Sequence, residues 1–171
     1  MSLQRDCNST KDKENEEKME MKRKCLIVVE KPSILNMVKK VYEELGAAAD
    51  FVADFAVINC HVENLKTTKI PANELSNFKP LTLKKSKVGS EYIIHADNDM
   101  MLKRGEAIVK MVRENNYDVI VNACDPDDCG ELAFKYMLES LNLTRRHTEQ
   151  IFLFDLTDSL IESELLTLNE F

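Results

Sequence analysis

The chain has 171 residues, 44% of them hydrophobic, which suits one domain with a real core plus a tail. No apolar run approaches the roughly 18 residues of a membrane span, and the first apolar stretch, residues 25–29, is too short and too late for a secretory signal, so a soluble cytoplasmic protein is expected. The net charge of −7 opposes strong nonspecific binding to DNA, so any contact with DNA must be local, through a metal ion or neighbouring domains.

Residues 1–23 are polar, dense in both charge signs and almost without groups to bury, and they read as a disordered tail. Order is expected to begin at Lys24. The run Cys25-Leu-Ile-Val-Val29 is continuously apolar and rich in β-branched residues, as in a strand covered on both faces of a parallel sheet. It stops at Glu30-Lys31-Pro32-Ser33, where Pro32 suits the first turn of a helix and pushes Lys31 out of helical geometry. Ile34, Leu35, Val38, Val41, Tyr42 and Leu45 then recur at helical spacing, and Gly46 closes the helix.

Residues 51–58 read as a second strand. Residues 59–98 are the least legible part, an excursion of loops with short strands near 81–83 and 92–95. Asn98 or Asp99 can cap a helix that runs to about Asn115 with Leu102, Ile108, Met111 and Val112 on one side. Residues 119–124 form the next strand and lead into Asp125-Pro-Asp-Asp-Cys-Gly-Glu131. A helix with Phe134, Met137, Leu138 and Leu141 inward follows, then a strand over 151–154 and a last helix capped by Thr157 or Asp158 with Ile161, Leu165 and Leu168 on one face. This alternation predicts an α/β domain over residues 24–171, with a mostly parallel central sheet and helices on both faces. With no clear end signal before Phe171, the domain reads as part of something longer.

Four glycines, Gly46, Gly89, Gly105 and Gly130, cannot build a phosphate-binding loop or a dinucleotide fingerprint. The cysteines Cys7, Cys25, Cys60, Cys124 and Cys129 are odd in number and contain no CxxC pair, which speaks for a reducing compartment. A zinc site from Cys60, His61, Cys124 and Cys129 would match no standard ligand spacing.

In open α/β sheets ligands bind beyond the carboxyl ends of the strands. Two strands end there in acids: the first at Glu30, the later one at Asp125, Asp127 and Asp128. Asp125 and Asp127 lie one residue apart in a tight turn and can converge on one point. Gathered carboxylates repel unless a cation lies between them, and hard oxygen ligands suit Mg²⁺. The plainer alternative is an acidic surface turn with Asp127 or Asp128 as a helix cap.

At these residues the chain resembles the TOPRIM domain shared by type IA topoisomerases and bacterial primases. Leu26-Ile-Val-Val-Glu-Lys-Pro-Ser33 looks like the opening strand and turn of the topoisomerase III-like branch, and Asp125-Pro-Asp-Asp-Cys-Gly-Glu131 is similar to that family's Asp-x-Asp-x-x-Gly-Glu turn. Cys60-His61 falls where that branch shows Gly-His, and Phe152-Leu-Phe-Asp-Leu-Thr157 resembles the closing strand and Thr-capped helix.

The resemblance implies a Rossmann-like TOPRIM fold and a share in Mg²⁺-assisted cleavage and religation of single-stranded DNA, with the remaining topoisomerase domains as partners in cis, in the cytoplasm at the nucleoid. Glu30 would act beside the scissile phosphate as proton donor or metal contact, and Lys31 would steady the phosphate as a point charge. Asp125 and Asp127, with Glu131, would hold Mg²⁺, and His61 would lie near the DNA path.

The chain departs from the pattern where the family has Arg-Glu and this sequence has Asp128-Cys129, which removes the third acid and weakens the expected metal affinity. In the family a tyrosine on a separate domain attacks DNA. Tyr42, Tyr92, Tyr117 and Tyr136 match no such context, so this chain alone is not expected to relax DNA. Two other readings stand beside this one: a TOPRIM-like nucleic-acid-binding or regulatory module without catalysis, and a receiver-like phosphoacceptor domain, although only Glu30 stands where receivers carry two adjacent acids.

Overall fold

The computed structural model describes residues 22–58, 60–64, 82–85, 91–96 and 98–169, with side chains for 22–58 and 104–169. The expectation of a disordered tail lies outside the described residues except at its end, where Arg23 already belongs to the first strand.

Strand β1 (Arg23–Val29) is central and pairs in parallel with β2 (Phe51–Val57) on one side and β6 (Val119–Asn122) on the other. A further strand, β7 (Thr148–Gln150), pairs in parallel with β6, giving a four-stranded all-parallel sheet in the order β2-β1-β6-β7. The apolar run in β1 follows from this position. Successive side chains point to opposite faces, so Leu26 and Val28 join one core and Cys25, Ile27 and Val29 the other, and all five are fully buried. Each such burial contributes about 1.5–3 kcal/mol for a Val, Leu or Ile.

Helices cover both faces. Helix α1 (Pro32–Leu45) places Ile34, Val38 and Val41 in the core on the Cys25 side, and α4 (Asp158–Leu166) adds Ile161 and Leu165 there, with Leu168 from the turn that follows. The opposite core holds Ile108 and Val112 of α2 (Asn98–Glu114) and Leu132, Ala133, Phe134, Met137 and Leu138 of α3 (Asp128–Ser140). The side chain of Leu102 lies outside the described residues. Gly46 ends α1 with φ of +49°, a conformation that glycine adopts without a Cβ penalty. The domain is therefore a Rossmann-like α/β fold with flanking helices.

Two features depart from the expected plan. The strand expected over 151–154 is displaced: the ladder runs through the polar Thr148–Gln150, and only the Ile151 N–H continues it, donating to Asn122 O at 3.0 Å. β7 is an edge strand, so its ladder needs backbone groups and little apolar cover. The excursion after β2 also carries a second sheet, with β3 (Cys60–Asn64), β5 (Glu91–Ala96) and β4 (Thr82–Lys85) antiparallel in the order β3-β5-β4. β3 was not foreseen as a strand, and it runs beside α3.

Polar ties hold the sheet margins. The Tyr42 hydroxyl donates to Phe51 O at 3.2 Å and accepts from Ala53 N at 3.1 Å, occupying backbone groups of the edge strand β2. The buried Tyr117 hydroxyl donates to the Asp54 carboxylate at 2.5 Å, and burial together with that bond pushes its phenol far above the ordinary range. Arg23 pairs with Glu149 of β7 and reaches Leu168 O, linking the start of β1 to both the far edge strand and the last turn.

Candidate functional site at the carboxyl rim

The register sets which residues meet at the rim. Val28 lies opposite Asn122, and the Ala123 N–H donates to Val28 O at 2.8 Å, so β1 and β6 end level with each other. Ile58 N–H bonds Val29 O, and Ile151 N–H bonds Asn122 O. The segments beginning at Glu30, at Cys124 and at Ile151 therefore leave the sheet at one edge, the edge where α/β sheets bind ligands. Asn122, buried at the end of β6, accepts from the Cys124 N–H through its side-chain oxygen and shapes the exit of the chain.

The acidic turn is tightly built. Pro126 is the centre of a three-residue turn closed by Asp127 N–H to Asp125 O at 2.8 Å. Asp127, in extended geometry, is the N-cap of α3: its Oδ1 accepts from Gly130 N at 2.8 Å and its carbonyl accepts from Glu131 N at 3.0 Å. The first turn of α3 folds back so closely on Asp125 that a Cβ at Gly130 would lie 2.0 Å from Asp125 O. Gly130 is thus required by close approach rather than by left-handed dihedrals, which among the described glycines occur only at Gly46.

Lys31 comes from the other strand end. Its backbone is extended (φ −124°, ψ 145°) before Pro32, and its ammonium donates to Asp125 Oδ2 at 2.8 Å across 94 positions of sequence. The Asp125 bond, and then the nearby carboxylates of Glu30 and Asp127, outweigh partial burial and hold the lysine above its ordinary pKa. The contact is solvent-exposed and so contributes at most about 1 kcal/mol to stability. Its value as an observation is geometric: it joins the Glu-Lys and Asp-x-Asp segments directly. Glu30 itself is nearly buried, at 8% exposure.

Cys129 reports how crowded the acids are. Burial first, then the fields of Asp127, Glu30, Asp128 and Asp125, push its thiol up to about 11. At pH 8 a rise of this size cuts the thiolate fraction about 100-fold, while the greater intrinsic nucleophilicity of a basic thiolate recovers about tenfold. Cys129 is expected to react with iodoacetamide roughly tenfold more slowly than an ordinary free thiol, measured by peptide-resolved mass spectrometry. A rate within a few-fold of free cysteine would show that the acids do not act on the sulfur.

Of the residues singled out in the sequence, Glu30, Lys31, Asp125 and Asp127 share this rim. Glu131 stands in the first turn of α3, where its carboxylate accepts from Lys135 at 2.6 Å. His61 belongs to β3, opposite His95, and its side chain lies outside the described residues. Among the described residues no group of three or more His, Cys, Asp or Glu side chains stands together as a metal-holding cluster. No helix among them is long and apolar enough to cross a membrane. Sequence reasoning missed the Lys31–Asp125 pairing, which only the parallel β1–β6 register creates. It also missed that Phe152 and Phe154, just beyond β7, are exposed, because the unbroken apolar run 151–154 reads as buried. What these residues compose is a small α/β domain with an acidic carboxyl rim, and the chain matches neither a known family model nor a curated protein.

Proposed function

We propose that the domain is the metal-and-acid module of a type IA DNA topoisomerase-like protein, a TOPRIM-type unit that handles a scissile phosphate together with domains outside this chain. The observation that carries the reading is the meeting of the Glu30-Lys31 turn and the Asp125-x-Asp127 turn on adjoining parallel strands, with the Lys31 ammonium 2.8 Å from the Asp125 carboxylate.

The donor set suits Mg²⁺ in kind, since that ion takes hard oxygens and commonly needs only one or two carboxylates with several waters. When bound, Mg²⁺ would supply charge neutralisation for the phosphate oxygens. Asp125 and Asp127 would hold it, with Glu131 as the nearest further acid. Lys31 now neutralises Asp125; released from it, the same ammonium becomes a point charge for a phosphate at the rim. In this reading Glu30, beside Lys31, would give a proton to a leaving oxygen or contact the metal, and His61 would lie near the DNA path. Catalysis in this reading needs a tyrosine nucleophile from elsewhere.

The second reading, a binding or regulatory module without catalysis, is favoured by a specific observation. Asp127 is committed to capping α3, and Asp125 to Lys31. With Asp128-Cys129 in place of a third acid, little is left to bind the ion tightly.

A magnesium titration followed by amide NMR separates the two. Saturable shifts at residues 30–31 and 125–130 in the millimolar range, lost in Asp125→Asn/Asp127→Asn, are expected of the metal module. Lys31→Ala should tighten binding a few-fold by removing the competing cation. No saturable shift at the rim would sink the metal reading and leave the second.

A further inference from the structure

Among the described residues three large hydrophobic side chains are exposed, and they stand at alternate positions: Phe152 at 44%, Phe154 at 75% and Leu156 at 37%. Ile151, just before them, and Leu153, between the two phenylalanines, are buried, at 0% and 6%. The two phenyl rings stack within 8° of parallel, 5.8 Å between centroids. Their backbone is pinned from beneath: Phe152 N–H donates to the Glu164 carboxylate at 2.6 Å and Phe154 N–H to Phe152 O at 3.0 Å. The exposure therefore belongs to an anchored segment and not to a frayed end.

The charged residues of this stretch of chain have one sign. Residues 149–166 contain five acids (Glu149, Asp155, Asp158, Glu162 and Glu164) and no lysine or arginine. Glu149 is neutralised by Arg23 and Asp158 by Lys40. Asp155, between the exposed Phe154 and Leu156, and Glu162 have no ion-pair partner among the described residues. The neighbouring rim segment, 124–131, adds Asp125, Asp127, Asp128 and Glu131, again without a basic residue. An aromatic patch framed by acids is complementary to a chain that is basic and apolar at once: arginine over a phenyl face, an aliphatic side chain between the rings and Leu156, and Coulomb attraction to Asp155.

We infer that Phe152, Phe154 and Leu156 anchor a docking site for a basic polypeptide segment carrying a large apolar side chain. Nucleic acid bases also stack on phenyl rings, but their phosphates would sit against Asp155 and Glu162, which stand in a stretch of chain without lysine or arginine. The inference is independent of metal binding at the rim.

The full chain is tested by fluorescence anisotropy against three labelled probes: a short peptide alternating leucine and arginine, the same peptide with serine for leucine, and an oligothymidylate. Saturable binding of the leucine–arginine peptide, about tenfold tighter than the serine peptide, is expected. Phe154→Ser and Phe152→Ser should each weaken it about tenfold, whereas Phe154→Tyr, which keeps the ring, should not. Thermal unfolding of the same variants checks that the fold is kept. Equal binding of the two peptides, no loss in the Phe154→Ser variant, preference for the oligothymidylate, or no binding at all would each overturn the docking site.

Discussion

Gly130→Ala will cost about 3 kcal/mol or more of stability. The added methyl would lie 2.0 Å from Asp125 O and 2.9 Å from both the carbonyl carbon and the amide nitrogen of Asp125. All three neighbours are backbone atoms, so no side chain can rotate away and the turn itself must open. Opening it strains the Asp127 cap on Gly130 N and the Asp127 N–H bond to Asp125 O together. The loss would be read as a lower denaturation midpoint with little change in the dependence on denaturant. The same variant should lengthen or break the Lys31–Asp125 contact, visible as a shift of the Lys31 ammonium resonance. A loss below about 1 kcal/mol would mean that the helix start tolerates a side chain, and the close approach would not be the reason for glycine.

Arg23→Ala is the second large effect. The Arg23–Glu149 pair is mostly shielded, with 14% and 16% of the side chains exposed, and Arg23 also reaches Leu168 O at 3.5 Å. Deleting Arg23 leaves the shielded Glu149 carboxylate with only the exposed His147 ring beside it, and with some solvent access the expected cost is about 2–3 kcal/mol. The pH dependence has a definite sign. Burial raises the Glu149 pKa, but the Arg23 guanidinium and the His147 ring, 2.8 Å away, outweigh it and hold the carboxyl below its usual 4.5. A carboxyl lowered in the folded state contributes stability that is present above the unfolded value and lost as the pH falls through the folded one. Denaturation measured from pH 7 downward should show the parent losing this contribution below about 4.5, and Arg23→Ala should have less of it to lose. Parallel pH profiles for the two proteins would refute the assignment.

The fold was legible where one rule acted alone. The run from Cys25 to Val29 is apolar at every position because β1 has a core on each face. Pro32 and Gly46 bound α1 by simple backbone sterics. The shared rim of Glu30 and Asp125 was legible as well, since parallel strands separated by helices must end on one side. What escaped was set by long-range geometry. Thr148–Gln150 looks polar because an edge ladder needs only its backbone, and the apolar letters of 151–154 conceal an alternation of buried and exposed positions. β3 depends on its register with β5, Cys60 opposite Ala96, which no local pattern encodes. Gly130 looks like a turn glycine in one dimension and is a contact glycine in three.

The placement of β1 has a consequence for how the chain comes together. Its partners are Phe51–Val57, close behind it, and Val119–Asn122, with Cys25 paired to Val119 across 94 positions. On the ribosome, at about 5–20 residues per second, the parallel β1-α1-β2 unit would wait about 3–13 s for β6 to emerge. Throughout that interval β1, whose residues 25–29 are all fully buried in the finished sheet, has one open edge, so nascent chains should be most prone to self-association, and most dependent on chaperones, before Asn122 has left the tunnel.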